Sequence, residues 1–431
     1  MHFDNDSAEV SIMARAEIPQ SIWVNRSHPS PPQKAPPSQV GVIGWLRANL
    51  FSSISNSLLT LVTGYLLYLL IVNLVTWGVQ ATWEPVWVNR KLLAVGSYPG
   101  EQLAQPMLVL MLLSFLFGVS AGKWQGMVRN LAIGLGVLLL IFVVAPNSIW
   151  LQLRMAIALG LLLIGYGVGR ANMVSNTLLA YSWIAMIPIS LMILHGGISI
   201  LGLGWYPTGT PVPSNLFGGL LLTSLLTVIG IALSFPIGVL LALGRRSNLP
   251  MIKVFCIAYI EIIRGVPLIS LLFMAAVILP LFLPAGVNSP ANVTRAITAI
   301  LLFSAAYLAE TIRGGLQSIP KGQYEAADAL GLNGIQKLYF IILPQALRAV
   351  IPALVGQFIG LFKDTSLVAL VGLTDFLNAA RSILVQPAWS KVEGGITREV
   401  YLAVALVYLI FSFGMSWASR RLEQQLGVGN R

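Results

Sequence analysis

Residues Gly218–Ser247 read GGLLLTSLLTVIGIALSFPIGVLLALGRRS, and this run indicates the fold class. No charged residue interrupts it between Gly218 and Gly244. An apolar run of about 18 residues or more is long enough to cross a bilayer as a helix. The run therefore predicts a membrane span.

The composition of the whole chain agrees with this prediction. Of its 431 residues, 56% are hydrophobic and only 10% are charged, with a mean hydropathy of +0.81. Soluble domains carry about a quarter charged residues, so a soluble protein is excluded. The single cysteine, Cys256, excludes a disulfide scaffold. The net charge of +11 fits the basic cytoplasmic loops of a membrane protein better than nucleic-acid binding.

Ten apolar runs predict an all-α membrane protein with about ten transmembrane helices. The runs lie near 54–79, 106–121, 129–145, 153–169, 176–195, 216–243, 252–279, 294–312, 346–370 and 399–418. With the N-terminus inside, the inner segments hold 17 basic residues and the outer segments seven. This bias places both ends in the cytoplasm.

Composition also divides the chain. Gly202–Pro213 is rich in glycine and proline and separates the fifth span from the sixth. The predicted parts are a polar, proline-rich cytoplasmic tail at 1–45, an extension of about five spans at 46–200, a five-span core at 216–420 and a cytoplasmic tail at 421–431.

One inner loop differs from the others. Ser318–Pro352 reads SIPKGQYEAADALGLNGIQKLYFIILPQALRAVIP. Helix formers at Tyr324–Leu330, glycines at 331 and 334, and apolar residues at helical spacing after them predict a helix–turn–helix with one apolar face. Such a face either docks into a groove on a soluble partner or rests on lipid headgroups, and physics alone leaves both open.

Within this loop the sequence resembles a known pattern, the EAA motif of ABC-transporter permeases. Every position of the pattern is filled, at Glu325, Ala326, Ala327, Gly331, Ile341, Leu343 and Pro344. The resemblance implies that 318–344 is the coupling loop that docks on an ATPase subunit. A motif of this length favours partner docking over the lipid alternative.

Further segments of the core are similar to the polar amino-acid branch of these permeases, the His/Glu/Gln/Arg type. They are Gly218–Ser247, EIIRGVPLI at Glu261–Ile269, Tyr307–Gly331 and FKDTSLVALVGL at Phe362–Leu373. In the front half, Trp45–Val62 resembles the start of the longer permease subunit of general L-amino-acid importers.

The resemblance implies a type I importer core that takes up polar and neutral L-amino acids across a bacterial inner membrane. The implied partners are a second, homologous permease subunit, two copies of an ATPase and a periplasmic amino-acid-binding protein. ATP and magnesium would bind the ATPase, and no cofactor is expected on this chain.

Ionisable residues inside spans are costly and are candidates for the substrate path. Lys363 and Asp364 lie within the ninth span, with Gln357, Thr365 and Ser366 nearby. A cation and an acceptor would suit an amino-acid zwitterion, and the same groups could instead partner a neighbouring subunit. An internal ion pair that fixes helix register explains them equally well. Glu261 and Arg264, three apart on the seventh span, are weaker candidates and more suited to a structural role.

Three smaller predictions complete the set. Glu310 and Arg313 are expected to anchor the entry to the coupling loop rather than to bind substrate. Glu325 would favour the positive end of its helix dipole, pair with a basic residue of the ATPase, or do both. The GxxxG pairs Gly118–Gly122 and Gly356–Gly360 predict close helix contacts without indicating which helices touch.

Several motifs are missing from the sequence. There is no GxxxxGK[ST] loop for ATP, no recognisable nucleophile motif, and only three scattered histidines for a metal site. We therefore expect no catalytic residue, no metal site and no enzyme activity of its own. The alternatives are an ion-coupled secondary amino-acid transporter, which would need inverted repeats that we do not find, and a membrane scaffold that transports nothing.

Overall fold

A computed structural model describes residues 41–145, 147–200, 203–205, 211–284, 286–392 and 394–427. Most of the predicted N-terminal tail, part of Gly202–Pro213 and the last four residues lie outside this set. The chain forms two units, the first ending at Ala81 and the second beginning at Thr82.

The first unit contains two helices, α1 (Gly41–Asn49) and α2 (Ile54–Gln80). The Ser53 hydroxyl caps α2 by accepting a hydrogen bond from the backbone N–H of Asn56 at 3.2 Å. No residue of α2 is buried, and the helix is apolar on all sides. That combination is the pattern of a membrane span surrounded by lipid.

The second unit begins with the rest of the predicted extension. Two short helices, α3 (Glu84–Val88) and α4 (Arg90–Val95), precede four long apolar ones. The long helices are α5 (Ala104–Trp124), α6 (Gly126–Val144), α7 (Ile149–Arg170) and α8 (Asn176–Leu194). After α8, the strand β1 (Ile198–Ile200) pairs antiparallel with β2 (Leu203–Trp205).

Ten helices form the C-terminal part. They are α9 (Gly219–Arg245), α10 (Pro250–Gly265), α11 (Leu268–Phe273), α12 (Leu279–Leu281), α13 (Asn292–Gln317), α14 (Lys321–Ala329), α15 (Gly334–Gln336), α16 (Leu343–Asp364), α17 (Phe376–Leu384) and α18 (Thr397–Leu426). A π-helical segment, Met274–Ile278, joins α11 to α12, and another, Lys337–Ile342, joins α15 to α16.

Among the described residues, nine helices are long and apolar enough to cross a membrane, or ten if one bent pair counts as a span. The prediction of an all-α protein with about ten spans is confirmed. The bent pair is α10 with α11–α12, where the axis turns by 102°. The seventh predicted span is therefore broken, because Pro267 lacks the N–H that would continue the helix after Gly265.

Two predicted glycine contacts have different outcomes. A Cβ on Gly118 would lie 2.1 Å from the carbonyl oxygen of Leu162, and one on Gly122 2.3 Å from that of Tyr166. The close contact of α5 is therefore confirmed, and α7 is its partner. At Gly356 and Gly360 of α16, nothing described in this chain lies within 4 Å of such a Cβ, so no close contact forms there within the subunit.

The core of the C-terminal part surrounds α13. Its buried residues, among them Ala305, Ala309 and Ile312, pack against α9, α10 and α16. Gly238 of α9 allows a close approach, since a Cβ there would lie 2.8 Å from the Cβ of Leu308. α13 is therefore the central helix, and its C-terminal end leads directly to α14.

At the N-terminal end of α9, which lies far from α14, backbone groups join the extension to the core. The N–H of Gly218 donates to Val95 at 3.2 Å, and that of Gly219 donates to Thr374 at 2.8 Å. A Cβ on Gly96, where φ is +66°, would lie 2.4 Å from the Cα of Gly218. Only glycines fit so close a backbone crossing. The part of the extension that belongs to the second unit is thus fastened to the core at the end far from α14.

Candidate coupling loop and membrane cavity

The loop between α13 and α16 forms the predicted helix–turn–helix. Gly331, at φ +71°, ends α14, with its N–H donating to Asp328 at 2.9 Å and the N–H of Leu332 donating to Ala327 at 3.2 Å. Asn333 and Gln336 then cap the next helix reciprocally. Pro344 lies in the first turn of the next long helix, α16, where its missing N–H costs nothing.

The motif residues divide into an anchor and an exposed surface. Ala327 is 2% exposed, whereas Glu325 and Ala326 are exposed. Ile341 and Leu343 are partly buried against the core. The dipole role predicted for Glu325 is wrong, because α14 begins at Lys321 and the side chain lies beyond its first turn.

Arg246, at the C-terminal end of α9, holds the loop in place. Its guanidinium donates to the carbonyl of Leu316 and to the hydroxyl of Tyr324, both at 3.2 Å, and lies over the tyrosine ring at 5.8 Å. On the other side, Gln345 of α16 donates to Gln323 at 3.0 Å. α14 is therefore tied to three helices that continue into the apolar core.

A cluster of five charged side chains lies above this anchor. Arg245 contacts Glu261 at 2.8 Å and Glu310 at 3.4 Å, while Glu310 also contacts Arg264 at 3.8 Å and Arg313 at 2.5 Å. Glu310 thus joins arginines of α9, α10 and α13. Glu261 and Arg264 make no ion pair with each other here, which favours the structural role over the substrate path.

A cavity of about 240 Å³ lies between α9, α13 and α16. Its lining is Ser234, Phe303, Ser304, Tyr307, Leu308, Gln357, Phe358, Gly360, Leu361 and Asp364. Gln357 donates to Thr311 Oγ1 at 2.6 Å and to the carbonyl of Tyr307 at 3.3 Å. Asp364 is the one ionisable carboxylate among these described lining residues.

The structure separates the residues predicted for the substrate path. Gln357 and Asp364, seven apart on α16, line the cavity together. Lys363 is exposed away from the lining and forms no ion pair among the described residues, which contradicts the internal ion pair. Thr365 is buried and donates to Phe362 at 2.7 Å, and Ser366 lies in the 3₁₀ segment after α16.

Sequence reasoning missed the side of the cavity formed by α13 and α9. Ser304 and Tyr307 are three apart and face the cavity, with Ser234 opposite. Polar side chains at helical spacing in an otherwise apolar span were the available signal. The Tyr307 ring also lies 5.5 Å from the Arg264 guanidinium, which links the cavity to the charged cluster.

A helical membrane core with a docking-type loop between its spans is the architecture of an ABC importer permease. Residues 234–428 match the family described as "Binding-protein-dependent transport system inner membrane component". Together with the relatives below, this match shows that the chain belongs to the family of amino-acid ABC transporter permeases, multi-pass proteins of the inner membrane.

Two relatives match along nearly the whole chain. The inner membrane amino-acid ABC transporter permease protein YhdY of Escherichia coli K12 is 36% identical over 93% of this chain and 97% of its own length. The glutamate/glutamine/aspartate/asparagine transport system permease protein BztC of Rhodobacter capsulatus gives the same three figures. The probable glutamine ABC transporter permease protein GlnP of Bacillus subtilis is 38% identical over 48% of this chain and 92% of its own length.

Proposed function

We propose that this chain imports polar and neutral L-amino acids by coupling its cavity to a partner ATPase that docks on the loop 318–344. The observation that supports this proposal is the arrangement of exposed and buried residues in that loop. Glu325 and Ala326 are exposed on a helix whose Ala327 is buried and whose Tyr324 is held by Arg246. A helix presented in this way suits docking into a groove on a soluble partner.

The orientation follows from the charge bias. Seventeen basic residues lie in the predicted inner segments and seven in the outer ones, which supports a cytoplasmic loop and cytoplasmic termini. The ATPase would then be reached from the cytoplasm, where ATP and magnesium are bound by that partner and not by this chain.

The cavity supplies groups suited to the cargo. The Asp364 carboxylate and the Gln357 amide can accept hydrogen bonds from an amino-acid ammonium group. A lining that combines these groups with Phe303 and Phe358 fits small polar and neutral side chains. Lys363 would act on the path only after a change of conformation.

The complete transporter would contain a second, similar permease, two ATPase copies and a soluble binding protein that delivers cargo. ATP shifts the assembly only because it binds the closed ATPase pair more tightly than the open one. Closure would move α14, and its ties to α9, α13 and α16 would carry that movement to the cavity.

Uptake of radiolabelled glutamine by cells producing Glu325→Lys tests the proposal. The variant should abolish uptake while remaining in the membrane at normal abundance. Lys253→Glu, a charge reversal at an exposed site outside the loop, should leave uptake unchanged. Normal uptake by Glu325→Lys would overturn the docking role.

A pull-down from detergent-solubilised membranes tests the partner separately. An ATP-hydrolysing subunit should copurify with the unmutated chain and be lost with Gly331→Arg, which places a side chain at φ +71°. If no ATPase copurifies and a proton uncoupler stops uptake, the chain is an ion-coupled transporter instead.

A further inference from the structure

The end of the second unit opposite α14 carries a composite surface formed by two distant parts of the sequence. The α3–α4 pair packs against α17 and the start of α18. The side-chain amide of Gln386 donates to Asn89 at 2.9 Å across this contact. We call the exposed side of these elements the outer basic face.

An apolar cluster fixes the two parts to each other. Val86, Leu92 and Leu93 of the α3–α4 pair pack against a buried group that includes Phe376 and Ile383 of α17. The backbone contacts of Gly96, Gly218 and Thr374 lie beside this cluster. The α3–α4 pair is therefore held rigidly on the core.

Basic side chains concentrate on this face. They are Arg90 and Lys91 from α4, Arg381 from α17, and Lys391 and Arg398 near the start of α18. Lys91, Arg381, Lys391 and Arg398 are exposed, and Arg90 is partly buried against the Trp87 ring at 5.3 Å.

Few acidic side chains balance them. Among the described residues of these segments and of the turn that follows α4, Glu84 and Glu101 are exposed, and Asp375 and Glu399 are buried. Glu393 belongs to the same part of the sequence but lies outside the described residues. Five of the seven basic residues of the predicted outer segments thus lie on one face, although outer loops carry fewer cations than inner ones.

An exposed face with an excess of one charge sign attracts a soluble partner of the opposite sign and orients its approach. We propose that the outer basic face is a docking surface for the acidic face of the soluble binding protein, and that α3–α4 is the part the extension contributes. This inference rests on the proposed function, because it requires cargo delivery by such a protein.

Spheroplasts that have lost their soluble periplasmic proteins provide the test. They are made from cells producing the whole transporter, and the periplasmic fraction of the same cells is added back at increasing protein concentration. Uptake of radiolabelled glutamine is then measured for the unmutated chain and for Lys91→Glu/Arg381→Glu at low and at physiological ionic strength.

At low ionic strength the charge-reversed variant should need about fivefold more periplasmic fraction for half-maximal uptake, with the maximal rate unchanged. Raising the salt concentration should also increase the amount of periplasmic fraction that the unmutated chain needs for half-maximal uptake, since exposed charges are screened. Lys91→Arg/Arg381→Lys should behave as the unmutated chain. Lys253→Glu, an exposed charge reversal on α10, should do so as well.

The outcomes separate the two proposals. If the unmutated chain takes up glutamine without added fraction, delivery by a binding protein fails and this inference fails with it. If uptake depends on the fraction but the charge-reversed variant has the same half-maximal concentration, this inference alone is overturned. A loss of maximal rate at normal membrane abundance, also seen with Lys91→Gln/Arg381→Gln, would likewise contradict docking.

Discussion

Close glycine contacts join helices in both the extension and the core, but the core adds a charged cluster and a cavity. In the extension, α5 and α7 touch backbone to backbone through Gly118, Gly122, Gly165 and Gly169. In the core, α9, α10 and α13 are joined by the charged cluster around Glu310, and a cavity remains between α9, α13 and α16. The first arrangement allows little relative movement, whereas ion pairs can exchange partners. The comparison indicates that α5 and α7 form a rigid pair, whereas the core is able to change shape.

Identical substitutions in the two GxxxG pairs should give the largest difference. Gly118→Ala places its methyl group 2.1 Å from a carbonyl oxygen, so we expect a loss of about 3 kcal/mol or more, or failure to fold. Gly356→Ala meets nothing within 4 Å and should leave stability nearly unchanged. Thermal unfolding of the purified variants in detergent measures both effects. Equal destabilisation would contradict the predicted difference between the two glycine pairs.

The junction between the two regions should depend on pH. Burial raises the pKa of Asp375 to about 6, although its carboxylate accepts backbone hydrogen bonds from Leu377 and Asn378. Since an unfolded aspartate titrates near pH ~3.9, the fold favours the neutral acid. The stability that the neutral Asp375 side chain contributes is fully present below about pH 4 and is lost as the pH rises through about 6.

Asp375→Asn should remove this dependence, because asparagine caps a helix as well as aspartate does. Between pH 5 and pH 7.5 the unmutated chain should lose about 1.4 kcal/mol more stability than the variant, measured as melting temperature against pH. Parallel pH profiles would show that Asp375 is not the titrating group.

The charged cluster offers a matched pair of glutamates. Glu310 contacts three arginines and its side chain is 24% exposed, whereas Glu261 contacts one and is 54% exposed. Glu310→Gln should cost about 2 kcal/mol and uncouple ATP hydrolysis from uptake, while Glu261→Gln should cost less than about 1 kcal/mol. Unfolding together with the ratio of ATP hydrolysed to glutamine imported checks both, and coupled transport by Glu310→Gln would contradict the role of the cluster.

The smallest effect is expected next to the cavity. Lys363→Ala should leave stability unchanged, because this exposed side chain makes no ion pair among the described residues. It should change uptake without releasing the ATPase, and less than Asp364→Asn does, because Asp364 lines the cavity. Loss of the ATPase from Lys363→Ala would instead assign that residue a structural role.

Much of the architecture could be predicted because it depends on local properties of the chain. Apolar runs fix the spans, and the helix formers and glycines of 318–344 fix the helix–turn–helix. α14 begins three residues earlier than predicted, so Glu325 lies beyond the first turn and away from the positive end of the helix dipole. Ends of helices depend on weak terminal contacts, so small errors there are expected.

The sequence by itself determined that this protein is a multispan membrane protein, which family it belongs to and where its helix–turn–helix loop lies. Only the tertiary structure decided which of the candidate site residues lie close together. It placed Asp364 but not Lys363 in the cavity lining, brought Ser304 and Tyr307 there, and packed α4, which carries Arg90, against α17. Hydrophobicity and helix propensity act along the chain, whereas ion pairs, cavities and charged faces form between segments that packing brings together.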